Sequence, residues 1–565
     1  MKEPLKSQMT QIWKQLFPAS QISKLESFFE EIEKTANSIK YPDHQPGWYR
    51  NAVVYSLYVD LFNRDFNGLR EKLPYLRELG VNCLWLLPVL DSPMKDAGFD
   101  VRNYRKMRSE LLGLHENATD DEARNVFSTF VADAHNNGIK VIFDIAINHT
   151  SEEHPWFQES RKGTENPYRD FYIWNRDDKK YSETRLLFKG MCPSNWEKDG
   201  EWYFFHRFFE FQPDLNYRNP DVLLEMTRNF LFWLEAGVDG FRADAIPYLW
   251  KEEGTNCENL PETHQIIRFF RAAIDFVRPD TLLLAEACQP PKEVVKYFDS
   301  GDECHAGYHF PIMPQIFKAI AAESSAPVIE TLSPVVTPDA NGGQWFMFLR
   351  CHDELTLEMV TPDDREFIHT NYCHKPEWDF RVGEGISARL SELMKFDADK
   401  VMLAYSIMLT LPGTPVIYYG DEFGKANDVG YYSEMKEMTG KNDTRYFVRG
   451  KVDWDSVRST LNDPDTFGAQ IYNRLKTMIN TRNSNPCFGS GEMIPLGFPE
   501  NPSILAYTRI FGDERVIVVQ NLSGSTIDLK LPLEKTSEFD LLKQHMRVSD
   551  NTIILKPYGF FWSKV

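Results

Sequence analysis

The chain has 565 residues, 42 % hydrophobic and 14 % aromatic, enough to bury a large core over two or three domains and unlike a disordered polymer. Acidic residues outnumber basic ones, 83 to 63, for a formal charge of -20, which works against nucleic acid and anionic membranes as partners and favours neutral small molecules. The 8 cysteines are scattered without a Cys-x-x-Cys pair, and residues 1–8 lack the apolar core of a signal peptide, so reduced thiols and a cytoplasmic location are expected.

Residues 1–40 place Ile12 and Leu16, then Leu25, Phe28, Phe29 and Ile32, at helical spacing and predict a helical extension packed outside a larger body. From Asn51 short apolar strands alternate with amphipathic helices, the pattern of βα units around a parallel sheet. Strands are expected at 53–59, 81–87, 140–147, 238–242, 281–285, 308–310, 345–349 and 415–419. One intervening helix carries the stripe Leu69, Leu73, Leu76 and Leu79 and ends at Gly80; another follows a capping box of Thr119 and Glu122. This count predicts an α/β protein with a (β/α)8 TIM barrel over 41–150 and 212–475, its reactive residues at the C-terminal strand ends.

Two regions depart from the alternation. Residues 151–211 are aromatic-rich, irregular and too long for a loop, so they form a subdomain inserted after strand three. From about residue 495 period-two segments at 503–507, 515–521, 526–531 and 552–555 predict a C-terminal antiparallel β-sandwich over 490–565. The longest apolar stretch, 401–419, holds Ser406, Thr410, Pro412, Gly413 and Pro415 and reads as a core helix turning into a strand, with no membrane span.

Several strand ends carry groups that a packed core would reject: Asp144 with Asn148 and His149, Arg242 with Asp244, Glu286, and His352 with Asp353. These segments, DIAINH at 144–149, GFRAD at 240–244, Glu286 and the pair at 352–353, resemble the α-amylase family of glycoside hydrolases (glycoside hydrolase family 13). QPDLN at 212–216 matches a fifth motif, and the resemblance runs from about residue 52 through the C-terminal sandwich.

The resemblance implies that Asp244 is the nucleophile, Glu286 the general acid and base, and Asp353 the carboxylate that holds the sugar's 2- and 3-hydroxyls. Arg242 would orient Asp244, His149 and His352 would bind glucose hydroxyls, and Phe99 would supply an aromatic face where relatives carry tyrosine. Asp96 would pin the terminal 4-hydroxyl, with Arg449 as its arginine partner by its spacing to Trp454. The chemistry requires surroundings that keep one carboxyl protonated and another ionised.

Longer segments, EGTNCENLPETH at 253–264, GDECH at 301–305 and DELTLEMV at 353–360, are similar to the trehalose synthase branch of the family. That branch implies isomerisation of maltose to trehalose through a covalent glucosyl-Asp intermediate, with a small α-glucoside as partner. An α-glucosidase or transglucosidase would use the same carboxylates, and a sugar-binding relative without catalysis is the third reading. No organic cofactor is expected, and association into a homo-oligomer stays open.

Asn148, Asp214 and the carbonyls of Tyr248 and Leu249 resemble the family's calcium cage, since oxygen ligands suit that ion. Lys251 stands where the branch offers a glutamate, so ion and ammonium remain alternatives. Cys351 replaces the asparagine usual before the His-Asp pair, and residues 425–445 do not resemble the corresponding segment of the branch.

Overall fold

The computed structural model describes residues 2–39, 45–115, 118–332, 343–531, 540–542, 548–549 and 552–565. Eight parallel strands close into a barrel: β1 (Val54–Leu57), β2 (Cys83–Leu86), β3 (Lys140–Ala146), β4 (Gly240–Asp244), β5 (Leu282–Ala285), β6 (Ala306–Tyr308), β7 (Gln344–Phe348) and β8 (Thr414–Tyr418). Each pairs with its sequence neighbour, and β8 closes on β1 through Val54 and Val416. The strands are almost entirely buried because helices cover their outer face, which is why they read as apolar runs.

All eight expected strands form. The sixth begins two residues earlier than expected, at Ala306, and the fourth runs on to Asp244. In β4 the period of two separates roles: Phe241 packs outward on Phe143 and Phe230, while Arg242 and Asp244 are placed on the other face. The strand starts at Gly240 because β4 and β5 approach closely there; a Cβ would lie 2.5 Å from the Leu282 carbonyl oxygen. The capping box also forms, with the Thr119 side chain accepting from the Glu122 amide.

The extension folds as helices Lys2–Leu16 and Ile22–Ser38, which lie on the barrel helix Pro261–Val277 through Trp13, Phe28 and Phe269. The last barrel helix, Phe467–Asn483, continues past the boundary expected at 475, because Leu475, Met478 and Ile479 keep the apolar stripe going. The inserted segment builds helix Pro155–Ser160 and a three-stranded antiparallel sheet (Trp174–Asn175, Trp202–Phe205, Trp196–Asp199), with Phe157 packed among Tyr172, Trp174 and Phe204.

At the C-terminus, a sheet of Glu492–Leu496, Ile504–Phe511, Glu514–Asn521 and Phe560–Lys564 faces a second of Ile527–Lys530, Thr552–Leu555 and Val548–Ser549. Ile504, Ile517, Val519 and Phe561 meet Leu529, Leu531, Ile553 and Leu555 between them. The first and last strands of the larger sheet escape the sequence pattern, since Glu492–Leu496 is a half-exposed edge holding Pro495 and Phe560–Lys564 is buried at four of its five positions. The sandwich docks on the barrel helix Ala398–Thr410, where Gln520 and Trp562 donate to the Ser406 hydroxyl. No helix among the described residues is long and apolar enough to cross a membrane.

Trp13 is 1 % exposed and anchors the extension. Trp13→Ala should therefore cost about 3–5 kcal/mol, read as a lower unfolding midpoint in denaturant, with turnover unchanged because the helix lies outside the pocket.

Candidate active site

The C-terminal ends of β3, β4, β5 and β7 converge on one pocket lined by Asp96, Phe99, His149, Arg242, Asp244, Glu286, His352 and Asp353, among others. At its base, parallel pairing sets Asp144 beside Arg242. Arg242 Nη1 donates to Asp144 Oδ1 at 2.5 Å and to Asp244 Oδ1 at 2.9 Å, and Nη2 lies 4.0 Å from Glu286 Oε1. Trp85 Nε1 donates to the other Asp144 oxygen at 2.8 Å. A guanidinium this deeply buried needs compensation, and the paired carboxylates supply it.

Glu286 follows β5 and is tied to the end of β4. The Ala245 amide donates to Glu286 Oε2 at 2.9 Å, and the Glu286 amide donates to the Ala243 carbonyl. Ala245 holds a left-handed conformation, φ 59°, an uncommon geometry for a residue with a Cβ and one that aims its amide at the carboxylate. Burial pushes the Glu286 carboxyl up to about 7, and neighbouring Asp244 adds to this against the pull of Arg242. Glu286 is thus suited to hold a proton near neutral pH while Asp244 rests on a guanidinium.

Asp353 has the opposite surroundings. Burial alone would raise it, yet Arg445 Nη1 at 3.2 Å and Arg449 Nη2 at 3.1 Å hold its carboxyl well below the usual carboxylate range. Burial pushes His352 down to about 3, so the imidazole 3.1 Å from Asp353 is neutral and the arginines carry the attraction. Phe99 stacks on the His352 ring with centroids 5.3 Å apart. Burial likewise lowers His149, whose Nε2 meets the Gln212 side chain at 3.3 Å.

Asp96 sits in a turn through Ala97 and Gly98, both at positive φ, where a Cβ on Gly98 would come within 2.7 Å of Pro88. The Asp100 carboxylate accepts the Lys95 and Asp96 amides and fixes that turn. The arginine on Asp96 is Arg445, at 3.1 Å, and not Arg449 as the spacing to Trp454 implied. Arg449 instead donates to the His352 carbonyl and to Asp353. Arg445 lies in the short 3-10 helix Thr444–Val448 and Arg449 directly after it; the Asp443 side chain accepts the Arg445 amide and pairs with its guanidinium, directing Arg445 toward Asp96.

The calcium reading does not fit the geometry of its residues. Lys251 Nζ lies 2.9 Å from Asn148 Oδ1 and 2.7 Å from Asp214 Oδ2, so the ammonium already takes the two side-chain oxygens that the cage of Asn148, Asp214, Tyr248 and Leu249 would offer an ion. All three side chains are buried.

Sequence reasoning missed a chain of ion pairs over the mouth. Arg185, from the inserted subdomain, pairs with Glu258 of the 253–264 segment and with Glu358 after β7; Arg207 also pairs with Glu258, and Arg381 with Glu358. Gln289 donates to Glu258 from the loop after β5. Residues 253–264 and 353–360 were the conspicuous segments of the sequence, but their arginine partners sit in stretches without a motif.

The catalytic-domain model of alpha amylase matches residues 29–468, and the maltogenic amylase C-terminal domain matches residues 498–562. The trehalose synthase/amylase TreS of Mycobacterium tuberculosis is 38 % identical over 563 residues, covering 92 % of this chain and 90 % of its own. The trehalose synthase of Pimelobacter sp. is 39 % identical over 87 % of this chain and 90 % of its own. A crystal structure of a trehalulose synthase mutant in complex with Tris superposes with a TM-score of 0.73 over 92 % of this chain and 100 % of that one, and an alpha-amylase from H. orenii with 0.70 over 91 % and 99 %. At 23 % and 24 % identity these two speak for the fold alone.

Lys251→Met would leave the Asp214 carboxylate buried without its cation, an imbalance of about 3–5 kcal/mol. The variant should unfold at a lower temperature than the parent, whereas treating the parent with a chelator should change neither its melting temperature nor its turnover.

Proposed function

The chain belongs to the α-amylase family and is an enzyme that transfers or hydrolyses glucosyl groups, and from this premise we propose that it isomerises maltose to trehalose by intramolecular glucosyl transfer. The observation that carries the proposal is the contrast within one pocket. Glu286 is held near the protonated state by burial, and Asp244 is clamped by Arg242 where it can attack.

In the first step an Asp244 carboxylate oxygen forms a bond to the anomeric carbon, the glycosidic C–O bond breaks, and the Glu286 proton passes to the departing oxygen. Glucose is released inside the pocket and turns to present its own anomeric hydroxyl. In the second step Glu286 takes the proton of that hydroxyl while its oxygen displaces Asp244 from the anomeric carbon. Asp353, kept ionised by Arg445 and Arg449, holds two hydroxyls of the reacting ring, and Asp96 with Arg445 closes the pocket beyond it, so that a single terminal glucose fits.

Isomerisation further requires that water be kept from the glucosyl intermediate. The Arg185, Glu258 and Glu358 pairs support this, because they join the inserted subdomain to loops after β4 and β7 across the mouth. Retained glucose and entering water compete by a few kcal/mol at most, roughly tenfold in product ratio for each 1.4 kcal/mol.

Incubation of the purified enzyme with maltose, followed by carbon NMR, should give trehalose with little free glucose. Stoichiometric glucose would establish a hydrolase instead, no turnover of any α-glucoside by the parent would establish a sugar-binding relative, and Asp244→Asn turning over at the parent's rate would overturn the assignment of Asp244 as nucleophile.

The rate should also fall as pH rises through about 7, since Glu286 must carry a proton into the first step. With an activated glucosyl donor whose leaving group needs no proton, Glu286→Gln should regain glucosyl transfer to Asp244 and lose that alkaline limb.

A further inference from the structure

We propose that Tyr297 and His264, which lie outside the sugar pocket, are positioning residues: they fix the segment that carries Glu258 and thereby set how the glucosyl enzyme divides between retained glucose and water. The inference rests on the isomerisation reading above.

Glu258 is the hub of the ion pairs that join the inserted subdomain to the loops after β4, β5 and β7. Arg185 donates to it at 2.8 Å and Gln289 at 2.6 Å, and Arg207 pairs with it as well. Arg185 also pairs with Glu358, which lines the pocket. The backbone at this hub is not a relaxed turn. Cys257 and Asn259, on either side of Glu258, hold left-handed conformations, φ 55° and 54°, and the Glu258 amide donates to the Asn256 side chain. Left-handed residues with a Cβ persist where surrounding contacts over-determine them.

Those contacts come from the helical layer. The Asn259 amide donates to the Pro247 carbonyl at 2.9 Å, and its side-chain Oδ1 accepts the Tyr297 hydroxyl at 2.8 Å. Tyr297 ends the short 3-10 helix Val295–Tyr297 in the connection from β5 to β6, and its ring lies on the His264 ring, with centroids 4.4 Å and planes 18° apart. His264, in the first turn of helix Pro261–Val277, meets Glu303 Oε2 through Nδ1 at 2.9 Å, and Arg268 meets Oε1 at 2.8 Å. The two conspicuous segments 253–264 and 301–305 therefore touch at His264 and Glu303. Tyr297 and Glu303 are buried, and neither they nor His264 line the pocket. A buried carboxylate between a histidine and an arginine carries a desolvation cost that an apolar contact would not, and supplies direction instead: it fixes the imidazole, the imidazole fixes the phenol ring, and the hydroxyl fixes Asn259 beside Glu258.

Cleavage of the glycosidic bond draws on Asp244, Glu286 and Asp353, which this clamp does not touch. Loosening it releases Glu258 and weakens the hold of Arg185 on Glu358, so water gains access to the intermediate. Its oxygen then displaces Asp244 from the anomeric carbon and Glu286 takes its proton, giving free glucose in place of trehalose.

Tyr297→Phe removes the hydroxyl and keeps the ring. With maltose as substrate and products read by carbon NMR, the ratio of glucose to trehalose should rise about fivefold, while KM and the rate of maltose consumption stay within about twofold. His264→Phe, which keeps a stacking ring and drops the bond to Glu303, should raise the ratio too. Glu258→Gln should raise it by itself, and in that background Tyr297→Phe should add nothing, because both act through one contact. A purely structural role would lower the melting temperature of Tyr297→Phe and leave its ratio at the parent's. An unchanged ratio in Tyr297→Phe or His264→Phe, or an equal effect of Tyr297→Phe with and without the Glu258 carboxylate, would overturn the inference. A parent that yields only glucose refutes the isomerisation reading instead, and is recognised before any variant is compared.

Discussion

A single guanidinium organises the active centre. Arg242 is 4 % exposed and could not remain charged there alone, so the strands around it must bring carboxylates to it. The closed barrel makes this arrangement rigid. Parallel pairing of β3 with β4 puts Asp144 opposite Arg242, the period of two puts Asp244 on the same side of β4, and the register of β4 with β5 carries Glu286 to within 4.0 Å of the guanidinium. Moving β4 by one residue would turn Arg242 and Asp244 into the helical layer and Phe241 into the pocket.

From this fixed cation the carboxyls of Asp244 and Glu286 acquire different characters. Asp244 accepts a charged hydrogen bond from Arg242, whereas Glu286 receives only the Ala245 amide and a more distant positive charge, so burial dominates and its proton is retained. Asp353 lies between two further arginines and remains ionised throughout. The histidines beside them are neutral because they are buried. A neutral imidazole can both donate and accept a hydrogen bond without changing charge.

The inserted subdomain is held at two levels. Beneath it, Lys251 links Asn148 at the end of β3 to Asp214 at the subdomain's exit, adjacent to His149. An ammonium at this point supplies one positive charge and directed hydrogen bonds in place of a coordination shell, which couples the pocket wall to the subdomain through a side chain of the chain itself. On another side, Arg185 pairs with Glu258 and Glu358, and Arg207 with Glu258. Burial, partial at Arg185 and nearly complete at Arg207 and Glu258, makes removal of one partner costlier here than in a surface ion pair.

The apolar alternation of strands and the helix caps are local properties, so the barrel, the insertion and most of the sandwich were legible in the chain by itself. So were Asp144, Arg242 and Asp244, because charged residues at the ends of apolar strands have no place in a core and regular strand geometry dictates where they point, whereas Glu286 and Asp353, which follow their strands, were marked out by the family motifs. What the sequence left undecided were contacts set by irregular backbone. Arg445 and Arg449 lie four residues apart, and only the cap made by Asp443 decides which of them meets Asp96. Whether Lys251 points at Asn148 and Asp214, and which arginines reach Glu258 and Glu358, depends on loop paths that carry no periodicity. Tertiary structure decided these because each is a meeting of two distant segments, with an energy that neither segment contains alone.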